Sequence, residues 1–214
     1  MDENYFSDLL QSYVSLEEIK DISRLEIWGG EPLLKLERIF PFIKKLVNLS
    51  PNFNEIFFSS NFAHNNVIPS IKKLYNFLIT EYPLRSFKIS IQISCDGPED
   101  ITDMARGIGT TKRIIQNFDN LLEEDIFNNK FIKFYLNIKP TLDMSSLKKL
   151  LDFDYNISYY KFFEENFLEK LDKKNLYKNN LIVPVPNLAS PTNHTQEDGF
   201  ILRDVLKVQR KIEQ

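Results

Sequence analysis

Two short clusters of glycine, carboxylate and arginine are where this chain could do chemistry. Five of its six glycines stand at positions 29, 30, 97, 107 and 109. Each group follows a run that reads as a β-strand. Glycine admits positive φ and lets another backbone or a ligand come close. Around these glycines the sequence sets Glu31, Ser59, Ser60, Asn61, Ser94, Asp96 and Arg106. A carboxylate suits an ammonium group or ribose hydroxyls, and an arginine suits a carboxylate bidentately. Such a set could hold a zwitterionic nucleoside. The remaining reactive types offer less. Cys95 is the one cysteine, which excludes an internal disulfide framework and an all-cysteine zinc or iron–sulfur site within the chain. Cys95 also has no histidine near it in sequence, so a buried structural thiol is expected rather than a nucleophile. His64 and His194 are far apart, lack metal-ligand spacing and read as surface-loop residues. Arg106 has a second reading, as a structural ion-pair partner of Asp103 or Asp96.

Elements able to position these residues follow in order. A helix is expected over residues 4–13, with Tyr5, Phe6, Leu9, Leu10 and Tyr13 on one face, and a capping box at Ser15 and Glu18 before a second short helix. Arg24–Trp28 reads as a strand ending at Gly29-Gly30-Glu31-Pro32. A helix follows, with Leu33, Leu36, Phe40, Ile43 and Val47 in period and Pro41 as a kink. Asn54–Ser60, Phe87–Ser94 and Phe131–Ile138 read as further strands, and Val67–Tyr82, Thr111–Glu124 and Ser145–Leu151 as helices. The stretch between Asp96-Gly97-Pro98 and residue 111 reads as a loop. Ile157–Phe162 reads as a fifth strand, and Glu164–Asn180 as a solvated helix or insertion. Leu181–Thr192 is Pro-rich and reads as extended, and Thr195–Asp198 caps a final helix. Strands alternating with amphipathic helices predict an α/β fold with a parallel sheet. In such folds ligands gather at the carboxyl ends of the strands, where the glycine clusters fall.

The two clusters carry a resemblance. Leu25-Glu26-Ile27-Trp28-Gly29-Gly30-Glu31-Pro32-Leu33 resembles the GGEP signature of radical S-adenosylmethionine (radical SAM) enzymes. Ile93-Ser94-Cys95-Asp96-Gly97-Pro98, with Asp103 and Arg106-Gly107, resembles their S-[IL]-D-G-P…HD…R-G segment. That version is typical of the subgroup containing anaerobic sulfatase-maturating and SPASM-type peptide-modifying enzymes. Asn61 matches the asparagine of a T-N-G segment, with Phe62 in place of the glycine, and Thr102 stands where the family has histidine. Lys139-Pro140-Thr141 and Thr195-Gln196-Glu197-Asp198-Gly199 are also similar to stretches of this subgroup. The resemblance spans roughly residues 20–210.

It implies a partial (β/α) TIM-like barrel of about five parallel strands lacking the first, forming one domain over residues 1–214, with 181–214 as an extended segment plus a capping helix. It implies an S-adenosylmethionine site at Gly29, Gly30, Glu31, Pro32, Ser60, Asn61, Ser94, Asp96 and Arg106. Glu31 and the glycine backbone would meet the amino group. Ser94 and Asp96 would lie near the ribose or carboxylate, and Arg106 would face the carboxylate. The reaction class would be reductive cleavage to a 5′-deoxyadenosyl radical and hydrogen abstraction from a peptide or protein. The family holds its [4Fe–4S] cluster with CxxxCxxC, a motif this chain lacks. A cluster-bearing partner chain or a missing N-terminal segment would have to supply those ligands. The other reading is a non-catalytic binding or assembly module, or a degenerate remnant of the fold.

Bulk properties agree with one soluble domain. The 214 residues (25.3 kDa) suffice for a sizeable core, and 43% hydrophobic with 27% charged residues is an ordinary balance. Lys and Arg number 27 against 30 Asp and Glu, a net charge of -3, so a nucleic-acid or anionic-membrane partner is not expected. No secretory signal or membrane span is read, and with one cysteine a cytoplasmic location is expected.

Overall fold

The structure is a computed structural model that describes residues 16–176 and 187–188. The expected helices over 4–13 and after 195, the Ser15 cap, and all of the extended 181–192 segment except 187–188 lie outside these residues.

Four strands form a parallel sheet in the order β1-β2-β3-β4: β1 Arg24–Ile27, β2 Glu55–Ser60, β3 Phe87–Ile93 and β4 Ile132–Ile138. Arg24 pairs with Glu55 and Ile27 with Phe58 across the first ladder. β2 and β3 have the near-continuous apolar pattern of strands buried on both faces, whereas β1 and β4 alternate. β3 reads buried at every position except Lys88 and Gln92. The class expected from the sequence, α/β with a parallel sheet, is the class observed.

By contact density the chain divides into two compact units. Met1–Ser60, His64–Gln92 and Glu123–Leu136 make the first, and Asn61–Ala63, Ile93–Leu122 and Asn137–Gln214 the second.

In the first unit, α1 (Leu16–Lys20) precedes β1. After β1 come two 3₁₀ turns, Pro32–Leu34 and Leu36–Ile39, and then helix α2 (Phe40–Leu49). Pro41 lies within the first two positions of α2. It therefore starts this helix instead of kinking a longer one, because its missing N–H falls where helices need none. Ile43, Leu46 and Val47 are the buried positions of α2. Helix α3 (Val67–Glu81) buries Val67, Ile71, Leu74 and Leu78. Its Ser70 hydroxyl donates to the Leu33 carbonyl. Arg85 binds the carbonyls of Val47 (3.1 Å), Ser50 (3.0 Å), Pro51 (3.2 Å) and Phe53 (2.7 Å). A cation here satisfies carbonyls at and beyond the end of α2 that no helix bond reaches.

In the second unit, helix α4 (Glu99–Arg106) occupies the stretch expected to be a loop. Its buried residues are only Ile101 and Thr102, too few to produce a readable period. Helix α5 (Thr110–Leu122) follows. After β4 come a two-residue strand β5 (Thr141–Leu142) and helix α6 (Met144–Lys149). β5 pairs in parallel with β6 (Asn187–Leu188).

The expected fifth strand at 157–162 is a helix. α7 (Phe153–Phe163) begins at Asp152, whose side chain accepts from Tyr155 N, continues through a π turn (Glu164–Leu168), and ends as α8 (Glu169–Lys173). Its aromatic residues have strand propensity, but Asn156, Tyr159, Phe163, Phe167 and Leu171 are buried at helical spacing, and packing overrides propensity. The described part of the Glu164–Asn180 stretch, residues 164–176, is accordingly more than a solvated helix or insertion. Phe167 packs edge-on against Phe118 at 4.9 Å, and Lys170 bonds Asp119 at 2.6 Å. The expected five parallel strands are thus four in this sheet plus the short β5–β6 ladder.

Candidate functional site

At the end of β1 the chain turns through Gly29 (φ +90°) and Gly30 (φ +56°). A side chain built on either glycine would meet nothing within 4 Å among the described residues. Backbone conformation therefore requires these glycines, and among the described residues the space in front of them is open. Trp28 is more than half exposed, rests on Phe57 at 5.3 Å, and donates from Nε1 to Glu26 (2.8 Å). Glu31 caps the 3₁₀ turn that Pro32 opens, accepting from Leu33 N at 3.2 Å. The same carboxylate oxygen lies 3.7 Å from His64 Nε2. His64 Nδ1 accepts from Asn66 N at 3.2 Å. His64, expected in a surface loop, has a side chain only 20% exposed and faces the motif carboxylate. No local sequence signal links the two positions.

At the end of β2, Ser60 is buried and Asn61 exposed. Asn61 accepts from Ala63 N at 3.1 Å, an Asx-type turn. Phe62 lies between them with φ +57° and no exposure, and its carbonyl accepts from Asn117 Nδ2 (2.9 Å). An aromatic residue rarely takes this left-handed conformation, which costs on the order of 1–2 kcal/mol.

The second glycine cluster is built tightly. Asp96 is 1% exposed. Arg106, at the end of α4, grips it with two donors, Nε to Oδ2 (2.5 Å) and Nη2 to Oδ1 (2.9 Å). Thr141 N adds a third bond to Oδ1 at 2.8 Å. Burial alone would lower the Arg106 pKa, but the bonds to Asp96 outweigh it and the net shift is upward. The Arg106 side chain is 27% exposed. Its Nη1 edge has no partner among the described residues. Ser94 is half-buried two positions ahead of Asp96.

Thr102 ties the turn itself, accepting from Asp96 N (3.1 Å) and Gly97 N (2.9 Å) and donating to Gly97 O (2.7 Å). Tyr159 donates to the Asp96 carbonyl at 3.1 Å. Asp103 caps the start of α5, accepting from Gly109 N, Thr111 N and the Thr111 hydroxyl. Cys95 is buried, and burial pushes its thiol up to about 12. That is the state of a structural thiol.

The structure thus joins Asp96 to Arg106, and Glu31 to His64. Of the two ion pairs open to Arg106 from the sequence, it forms the one with Asp96. Both Asp96 oxygens accept bonds inside the protein, so this carboxylate acts on Arg106 and Thr141. Among the described residues no three His, Cys, Asp or Glu side chains form a group that could hold a metal ion. No helix among them is long and apolar enough to cross a membrane. Comparison of the chain with family models, with curated proteins and with solved structures found no match.

Proposed function

We propose that this chain is the S-adenosylmethionine-binding portion of a radical SAM, SPASM-type enzyme that modifies a peptide or protein, built on a partial (β/α) barrel. The observation that carries this reading is the Arg106 guanidinium. Asp96 fixes it by one edge, and its Nη1 edge, without a partner among the described residues, has donors for a carboxylate, the group an amino-acid nucleoside offers. The open turn at Gly29 and Gly30 supports it, since backbone there can come close to a ligand. So does Phe62, which keeps a left-handed backbone where the T-N-G segment has glycine.

In this assignment Glu31 meets the ammonium group and Arg106 the carboxylate. Asp96 positions Arg106. Hydrogen abstraction is chemistry the bound cofactor supplies, and the protein's part is to hold and orient it. The residues present do not fit an iron–sulfur cluster. The chain's one thiol is buried, hydrogen-bonded to Thr102 and Gly97, and strongly disposed to stay protonated. A cluster would need ligands from another chain or from a segment preceding these residues.

Cys95 also favours a second reading, in which the chain is a non-catalytic binding or assembly module that keeps the fold. Calorimetry with S-adenosylmethionine tests the first. Weak binding is expected, since no cluster chelates the methionine end, and Glu31→Ala and Arg106→Ala should each abolish it while circular dichroism stays native. Undetectable binding by the folded wild type, or binding indifferent to both substitutions, overturns the assignment and leaves the module.

A further inference from the structure

We infer that His64 is the positioning residue for Glu31, setting the orientation in which that carboxylate meets a ligand's ammonium group. This rests on the reading of Glu31 given above. The reasoning begins with a tautomer. His64 Nδ1 accepts a hydrogen bond from Asn66 N (3.2 Å), which it can do only without a proton of its own. A neutral His64 therefore carries its proton on Nε2, the nitrogen that faces Glu31 Oε1 at 3.7 Å.

Two groups face the carboxylate. Leu33 N donates to Oε1 at 3.2 Å from within the 3₁₀ turn, and the buried His64 Nε2, which makes no hydrogen bond among the described residues, stands 3.7 Å from the same oxygen. Glu31 is 8% and His64 20% exposed at the side chain, so little water screens the pair. His64 is itself fixed, because its carbonyl accepts from Val67 N at the start of α3 and its ring from Asn66 N. An imidazole anchored at one nitrogen and aimed from the other is how histidine serves as an orienting group. At 3.7 Å the contact is longer than a normal hydrogen bond. A small movement of Glu31 toward a ligand can adjust it, as polar contacts tighten on ligand binding.

Two nucleosides distinguish this role from a merely structural one. S-adenosylmethionine carries the ammonium group, and 5′-methylthioadenosine has the same adenosine and thioether without it. His64→Leu is expected to weaken S-adenosylmethionine about tenfold, and to leave 5′-methylthioadenosine within about twofold. His64→Gln, which keeps an N–H donor, should hold S-adenosylmethionine within about twofold of wild type. In a Glu31→Gln background, His64→Leu should change nothing further. Equal loss for both nucleosides, or losses that simply add, overturns the proposal.

If the wild type binds neither nucleoside, the ligand reading has failed, and a ligand-free measurement decides the positioning role. Long-range ¹H–¹⁵N spectra of the full chain, with His194→Gln to assign the ring, should give the Nε2-protonated tautomer and a shift on Glu31→Gln. An Nδ1-protonated ring, or one indifferent to Glu31→Gln, overturns it.

Discussion

The ring of Tyr159 occupies the space that a side chain at Gly97 would need: a Cβ there would lie 2.7 Å from Tyr159 Cε2. Gly97 also has φ +149°, a region that side chains disfavour. Tyr159 is fully buried and anchored through its hydroxyl to the Asp96 carbonyl, so it cannot swing aside. Gly97→Ala is therefore expected to cost about 3 kcal/mol, as strain plus overpacking. Chemical denaturation reads this directly, and an unchanged midpoint would remove Tyr159 as the reason for the glycine.

Acid should weaken the second unit through its capped carboxylates. Burial opposes ionisation of Asp103, but its bonds from Thr111 and Gly109 prevail and hold it below the usual carboxylate range. Ser146 N lowers Asp143 in the same way. A carboxylate with a depressed folded pKa contributes stability that is complete above its unfolded value of about 3.9 and is lost as pH falls through the folded value. Urea midpoints should thus be level above about pH 5 and decline below pH 4. Asp103→Asn should flatten that decline while lowering the plateau, and an identical pH profile would refute the assignment.

Cys95 should resist alkylation in the native protein. With its thiol pushed up to about 12, almost no thiolate exists near neutral pH, and burial blocks access. Iodoacetamide at pH 8 should label only the unfolded chain. Anaerobic reconstitution of the chain alone should likewise yield no stoichiometric iron, because a cluster needs several thiolates. Rapid native labelling, or a broad visible absorbance with bound iron, would contradict this account of the thiol.

Among the described residues β1 pairs only with β2. Ser23 O accepts from Glu55 N, and parallel pairing alternates, so Leu25 and Ile27 bond toward β2 while Arg24 and Glu26 turn their amides outward. Amide exchange should be fast at Arg24 and Glu26 and slow at Leu25 and Ile27. Adding a peptide able to pair as a strand should slow the outward pair. Slow exchange at all four in a clean monomer would mean that this edge is already covered.

Much of this architecture could be read from residue order. Phe87–Ile93 alternates cleanly, and β2 and β4 were legible from runs of Ile, Phe and Leu. The failures have physical causes. In α7, Tyr and Phe carry strand propensity, yet their burial at every third or fourth position was a helical signal that the aromatic content obscured. In α4 one turn touches the core, and a single turn has no period. The candidate residues of the two motifs were found by type, but their use was not. That Asp96 would spend both oxygens on Arg106 and Thr141, or that His64 would face Glu31, depends on contacts between segments distant in sequence.

The π turn at Glu164–Leu168 has a consequence for how this protein can change. Phe163, Phe167 and Leu171 recur every four residues and are all buried. In an unbroken α-helix, at about 100° per residue, such a repeat drifts about 40° around the axis each time. A π turn is wider and advances less per residue, so it winds the drift back and works as a one-residue phase correction. Shortening the segment by one residue would close it into ordinary α-helix, and Leu171, then seven residues and about 700° from Phe163, would still face the core. Glu164 and Glu165 are exposed and free to vary in type. The turn is thus the place in this helix where one residue can be lost and the buried face kept.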